Sequence, residues 1–201
     1  MTRLLLVRHG ETDLHSARAF VGHRDVDLNA SGYEQAEKLA QRLADEKIDY
    51  IYSSDLRRAW LTARPIAAKH ELGVTVCPEL REMDYGSADS LTFDEIKRLY
   101  PELAGLCANW SLKLQFPGGE SVDQLTERLV RFLDKLKQHS AEETVLIVSH
   151  GGPLRFMICS LLGLELEHWR QFRLDLASLS IVDTYPEVVI ISLLNDTSHL
   201  K

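Results

Sequence analysis

Two apolar runs, Leu4-Leu5-Leu6-Val7-Arg8-His9-Gly10 and Val145-Leu146-Ile147-Val148-Ser149-His150-Gly151, each end in a histidine followed by glycine. Both are short, leucine-rich or β-branched and stopped at glycine, the pattern of strands buried on both faces of a parallel sheet. Such strands need helices above and below them, which restricts the chain to an α/β architecture. Ligands of open α/β sheets bind at the carboxyl edge of the strands. Two strands of this kind therefore predict a shared site that holds His9, His150 and Arg8, although most of the sequence separates the two histidines.

Helical and strand patterns alternate along the rest of the chain. Ser31-Gly32-Tyr33-Glu34 predicts a capping box that opens a helix with Tyr33, Ala36, Leu39, Ala40 and Leu43 on its apolar face. Tyr50–Ser53 reads as a second buried strand, residues 56–70 as a helix interrupted near Pro65, and residues 74–77 as a strand. The segment 79–119 is the least regular, with short helical patterns at 93–100 and 103–112 and breaks at Pro101 and Pro117-Gly118-Gly119. Residues 121–137 form an amphipathic helix whose stripe is Val122, Leu125, Leu129, Val130, Phe132, Leu133 and Leu136. Pro153 suits the start of a helix that runs to residue 162, and residues 179–183 and 188–193 read as a closing antiparallel hairpin. No repeat, low-complexity tract or linker interrupts the pattern. The expectation is a single domain over 1–201: a three-layer α/β/α sandwich with a mostly parallel mixed sheet and an irregular substrate-rim insertion at about 79–119.

The formal net charge of -7 gives no broad attraction to polyanions, so no nucleic acid and no anionic membrane surface is expected as partner, and any anion site must be local. No run of roughly eighteen apolar residues, the length needed to span a bilayer, is present. Met1-Thr2-Arg3 passes directly into the first strand without a signal-like segment, so a cytoplasmic location is expected. Cys77, Cys107 and Cys159 are widely spaced, lack any C-x-x-C arrangement and read as buried reduced thiols. Asp25-Val26-Asp27 follows no apolar strand and lacks the glycine of a calcium loop, and neither a G-x-x-x-x-G-K loop nor an H-E-x-x-H helix is present. His23, His70, His139, His168 and His199 read as structural or exposed, and Trp60 and Trp169 as packing residues. Trp110, with Leu112, Leu114 and Phe116, is the candidate wall of a leaving-group pocket.

Arg8-His9-Gly10-Glu11-Thr12 is the densest polar cluster at a strand end. A lone histidine there is more often a hydrogen-bonded structural residue. His150-Gly151-Gly152 changes that reading, because it repeats the architecture and leads into a helix whose first N–H groups suit an anion. Further motifs are Ser53-Ser54-Asp55-Leu56-Arg57-Arg58-Ala59 with Thr62-Ala63, Leu80-Arg81-Glu82-Met83-Asp84-Tyr85-Gly86, and Pro117-Gly118-Gly119-Glu120-Ser121. Taken in this order over nearly the whole chain, they resemble the histidine phosphatase superfamily, also called phosphoglycerate-mutase-like.

The resemblance implies that His9 attacks phosphorus and becomes a phosphohistidine, with Arg8, Arg58 and His150 around the transferred group. It implies that Glu82 protonates the leaving alkoxide and then activates water, with no metal and no cofactor. Thr12, His15, Gly22 and Gly151 are the expected substrate-binding neighbours. Physical chemistry agrees with this scheme. Neutral imidazole is a competent nucleophile, and planar guanidinium groups complement the equatorial oxygens of a transferring phosphoryl group. The family pattern places Arg58 rather than Arg57 at the phosphate and leaves Arg57 on the surface. His15 departs from the asparagine that relatives commonly carry, and the run from Ser87 to Ser90 departs from their aromatic and acidic rim.

The expected function is phosphomonoester hydrolysis on a small phosphorylated metabolite. The alternatives are a cofactor-dependent phosphoglycerate mutase and a catalytically weak regulatory binding protein. The absence of the mutases' extra middle segment and longer tail favours hydrolysis, because a leaner rim admits water. Residues 117–121 and 150–155 resemble α-ribazole phosphatases almost as much as broad-specificity phosphatases, which makes α-ribazole 5′-phosphate a candidate substrate. Residues 185–194 suit either an edge strand that pairs between subunits, giving a homo-oligomer, or a strand buried within the sheet.

Overall fold

The computed structural model describes residues 2–109 and 111–201, so Trp110 lies outside the described residues. In chain order the elements are β1 (Thr2–Arg8), α1 (Asp13–Ser16), α2 (Ala30–Arg42), β2 (Tyr50–Ser53), α3 (Arg57–Lys69), β3 (Thr75–Val76), α4 (Phe93–Leu99), α5 (Pro101–Ala108), α6 (Val122–Leu136), β4 (Thr144–Ser149), α7 (Gly151–Leu162), β5 (Leu179–Thr184) and β6 (Val189–Asp196). The six strands form one sheet in the order β3-β2-β4-β1-β5-β6. Pairings among β3, β2, β4 and β1 are parallel, whereas β1 with β5 and β5 with β6 are antiparallel.

Strand alternation divides the core in two. Leu4 and Leu6 of β1, with Val145 and Ile147 of β4, face α6 and α7 through Leu125, Leu129, Phe132, Phe156 and Met157. Leu5, Val7, Leu146 and Val148 face the opposite side, where Leu39 and Ala40 of α2 and Ala59, Ala63 and Ile66 of α3 cover them. The result is the three-layer α/β/α sandwich with a mixed, mostly parallel sheet. Leu80, Met83, Ala88, Ile96, Leu103, Leu114 and Phe116 of the 79–119 segment belong to the same apolar cluster as Leu4 and Leu6. That segment is therefore a structural part of one face as well as a rim. Among the described residues no helix is long and apolar enough to cross a membrane.

Several local expectations are corrected. Asn29, not Ser31, caps α2, with its side chain accepting Gly32 N–H at 2.9 Å. The earlier start brings Gly32 against the Glu11 backbone so closely that a Cβ would collide with the Glu11 carbonyl. Tyr33 and Val130 are exposed rather than on their helices' buried faces. Pro65 does not interrupt α3, whose buried alanines and Ile66 hold it against the sheet on either side of the missing N–H. Pro101 opens α5 instead of breaking the chain, as a residue without a needed N–H can at the first helical position. α6 opens with a capping box, Ser121 and Gln124 exchanging side-chain and backbone hydrogen bonds.

Candidate active site

The parallel register places the two histidines side by side. Arg8 lies opposite Ser149, and His9 N–H donates to the Ser149 carbonyl at 3.0 Å. Ser54 follows β2 on the other flank of β4, with its N–H donating to the Val148 carbonyl at 3.0 Å. His9, Ser54 and His150 thus end three adjacent parallel strands, at the edge where a ligand is expected. The ring centroids of His9 and His150 are 5.0 Å apart, and the His15 centroid is 4.9 Å from that of His9.

His9 is buried, and its Nδ1 lies 2.7 Å from the Gly10 carbonyl. A carbonyl only accepts, so Nδ1 carries the proton and Nε2 presents its lone pair. Burial first, and then His15, Arg58 and Arg8, hold the His9 pKa well below the ordinary imidazole value. His150 is shifted in the same direction, by burial and then by Arg58 and its neighbouring rings. Its Nε2 is 2.9 Å from Ser54 Oγ, while its buried Nδ1 has no partner among the described residues. His15 is half-buried, bonds through Nδ1 to Thr12 Oγ1 at 2.8 Å, and has its pKa lowered to about 3 by burial and by Arg8 and Arg58.

Arg58 is fully buried at the start of α3. It donates through Nη1 to the Arg24 carbonyl at 2.9 Å and through Nη2 to the Gly22 carbonyl at 2.7 Å. Arg8 donates through Nη1 to the Leu174 carbonyl at 2.7 Å. The Nε of each guanidinium is buried and has no partner among the described residues. Burial lowers both pKa values, that of Arg58 to about 10, which leaves Arg58 a cation near neutrality. Buried donors left in this state lose free energy unless an acceptor arrives, and a phosphoryl group brings several. Arg57 lies outside the centre, exposed, with its guanidinium on Asp27 and its N–H on Asp25, which also accounts for the Asp25-Val26-Asp27 run.

Glu82 is buried to 7% exposure, with Oε1 accepting Met83 N–H at 3.0 Å and Oε2 accepting Gly152 N–H at 3.2 Å in the first turn of α7. A Cβ on Gly152 would collide with Glu82 Oε1, so glycine is what lets the carboxyl reach this helix end. Gly151 is similarly placed against Arg8 and Arg155 Nη1, the latter 2.9 Å from where its Cβ would be. Gly22 gives its carbonyl to Arg58 and its N–H to Asp89 Oδ1 at 3.3 Å. Both of its backbone groups are therefore engaged with protein, the carbonyl on Arg58.

Arg8, Glu82, Gly151 and Gly152 also border a cavity of about 490 Å³. Its far walls are mainly apolar, with Phe20, Phe93, Leu114, Phe116 and Trp169 prominent, and Tyr85 and Arg155 interrupt them. Leu114 and Phe116 were expected there; Leu112 borders a separate depression with Asn109 and Lys113. Trp169, read from sequence as packing only, both packs on Phe156 with ring centroids 4.6 Å apart and faces the cavity. Tyr85, Arg155 and Ser54 went unassigned in the sequence reading, as did Arg128, which holds the Glu82 loop through the carbonyls of Glu79, Arg81 and Glu82. One signal for Arg128 existed: an arginine at the core-facing turn between Leu125 and Phe132 of an amphipathic helix calls for a buried acceptor.

Comparison with known proteins gives a consistent result. A family model described as histidine phosphatase superfamily (branch 1) matches residues 4–197. Phosphoserine phosphatase 1 of Hydrogenobacter thermophilus is 36% identical over 200 residues, covering 100% of this chain and 95% of that protein. The solved structure of the α-ribazole phosphatase from Shigella flexneri is similar at a TM-score of 0.89 and 32% identity, covering 96% of each chain. A mutant phosphoserine phosphatase from Entamoeba histolytica, solved in complex with phosphoserine, is similar at a TM-score of 0.87 and 27% identity over 100% of both chains.

Proposed function

This chain belongs to the histidine phosphatase superfamily, branch 1, and on that premise we propose that it is a metal-independent phosphomonoesterase working through a phosphohistidine on His9. The observation that carries the reading is the His9 ring. Its Nδ1 is committed to the Gly10 carbonyl, its Nε2 lone pair is free of a proton, and around it Arg8, Arg58 and His150 carry buried nitrogens without a partner among the described residues. Nε2 forms a bond to phosphorus as the ester P–O bond breaks, and Glu82 gives its proton to the departing oxygen. Glu82 then takes a proton from water, whose oxygen bonds to phosphorus as the N–P bond breaks, releasing inorganic phosphate and restoring neutral His9. Arg8 and Arg58 meet the charge on the equatorial oxygens. For His150 Nδ1 to donate as well, the Ser54 hydroxyl must donate to Nε2, which its 2.9 Å separation allows.

The apolar cavity beyond Glu82 supports a leaving alcohol with a flat hydrophobic body, and therefore α-ribazole 5′-phosphate ahead of phosphoserine. A benzimidazole riboside buries aromatic surface against Phe20, Phe93 and Phe116, whereas a free amino acid must lose water from two charges there. A hydrolysis screen in the presence of chelator tests both levels, using α-ribazole 5′-phosphate, phosphoserine and 3-phosphoglycerate. The expected result is phosphate release with the highest kcat/KM on the first. Isomerisation of phosphoglycerate that depends on a bisphosphate primer would overturn the hydrolase reading. Preference for phosphoserine would overturn only the assignment of the alcohol.

A further inference from the structure

Glu82 sits in a segment without helix or strand, just after a single tight turn over Pro78–Leu80. A proton donor in such a segment is positioned only as well as its backbone is held. The holding comes from α6. Arg128, 7% exposed, donates through Nη1 to the carbonyls of Glu79 and Arg81, both at 2.7 Å, and through Nη2 to the carbonyl of Glu82 itself at 2.8 Å. The same guanidinium pairs two-pronged with Glu120, Nε to Oε1 at 2.7 Å and Nη2 to Oε2 at 2.8 Å. Glu120 extends the grip past the catalytic residue, since its Oε2 accepts Asp84 N–H and its own N–H donates to the Asp84 carbonyl, both at 2.9 Å. His23 Nε2 reaches the Glu82 carbonyl at 3.0 Å as a second donor.

Every one of these guanidinium contacts falls on the loop from 79 to 82 or on the carboxylate that holds residue 84. A buried ion pair is in itself weak evidence for stability, because desolvation offsets most of the attraction. A planar fork with five donors is, however, well suited to fixing several carbonyls in one geometry. We infer that Arg128, paired with Glu120, is a positioning residue for proton transfer: it sets the backbone of 79–84 so that the Glu82 carboxyl stays against Gly152 and beside the reacting oxygen. The inference rests on the reading of Glu82 as acid and base given above.

Rapid-quench measurement of phosphoenzyme formation tests it, using a series of phosphate esters with leaving groups of rising basicity. The variants are Glu82→Gln, Arg128→Lys, Glu120→Gln and the double variant Glu82→Gln/Arg128→Lys, each with a melting temperature. Arg128→Lys keeps the charge and loses the fork. Its expected effect is a loss of about tenfold to a hundredfold with basic leaving groups, the scale of a small misplacement of a catalytic group. With p-nitrophenyl phosphate, whose leaving group needs no proton, the loss shrinks severalfold, and KM changes little. In the double variant the rate equals that of Glu82→Gln alone. Equal loss across all esters, or losses that multiply in the double variant, would overturn the positioning role and leave Arg128 a structural residue. Should Arg128→Lys not fold, Glu120→Gln is read by the same criteria, with a smaller loss expected. If Glu82→Gln itself shows no dependence on leaving-group basicity, the acid role of Glu82 is what fails, whichever way the Arg128 variants behave.

Discussion

The proposed phosphate centre and the cavity beside it share Arg8, Glu82 and Gly151, yet they are built by different means. His9, Ser54 and His150 are set by strand register, each following a buried strand whose neighbours are fixed by backbone hydrogen bonds. Arg58 is held by carbonyls of the 21–24 loop, and charge converges there although the chain as a whole is acidic. The cavity has no such frame. Its walls come from Phe20, the 79–119 segment, α6, α7 and Trp169, and they meet through side-chain packing and loop hydrogen bonds, such as Phe20 N–H to the Leu91 carbonyl, rather than through strand register. On the proposed reading, chemistry common to all phosphate esters sits on the part of the fold that strand register fixes. On the same reading, discrimination among alcohols sits on the part that loops and packing define, where substitutions of similar volume are tolerated best.

The largest effect that tests this division is at His9, the proposed nucleophile. His9→Ala is expected to lower kcat by at least about 10⁴-fold, because residues that act as one unit fail together. It should also abolish acid-labile phosphate on the protein. Label retained in that variant would move the nucleophile elsewhere and break the comparison at its root.

The next effect follows from three imidazoles kept neutral by burial and by Arg8 and Arg58. Their folded-state pKa values are depressed, so as the pH falls below about 6.5 the unfolded chain takes up protons that the folded chain refuses, and stability is lost with acid. Each such histidine contributes a slope of at most about 1.4 kcal/mol per pH unit. Denaturant unfolding between pH 7 and pH 5 should show this slope, and His15→Asn should flatten it by one histidine's share. A slope unchanged in that variant would show that the ring of His15 is not held neutral in the folded state.

The smallest effect belongs to the cavity wall. Phe93 is 39% exposed, so Phe93→Ala leaves the core nearly untouched while trimming aromatic surface from the cavity. A loss of about threefold to tenfold in kcat/KM is expected for esters with aromatic alcohols and none for glycerol phosphates, the discrimination that a small change in an apolar pocket supplies. Equal loss on both would mean that this wall serves folding rather than selection.

The uneven legibility of the two regions has a physical origin. Arg8, His9 and His150 announce themselves because a strand end is a local event, marked by glycine after an apolar run. The choice of Arg58 over Arg57 came from the family pattern, and the structure buries Arg58 while it leaves Arg57 exposed on Asp27. The capping of α2 was misread by two residues, because the winning constraint was the approach of Gly32 to Glu11, two residues that the sequence keeps apart. Arg128 was visible only as an anomaly on an apolar stripe. Its partners, the carbonyls of 79, 81 and 82, carry no side-chain signature at all.

Sequence alone therefore determined the layered α/β class, the strands that carry the two histidines, the edge at which they meet and the kind of chemistry that edge suits. The class, the strands and the edge follow from short-range periodicity, and the kind of chemistry from the resemblance of the motifs to a known family. Tertiary structure decided which nitrogen of His9 is free, which N–H groups hold Glu82, how Arg128 and Glu120 grip its loop, and that an apolar cavity adjoins the phosphate centre. Those features depend on hydrogen bonds and packing between segments tens of residues apart, and such contacts exist only once the two faces of the sheet have been covered.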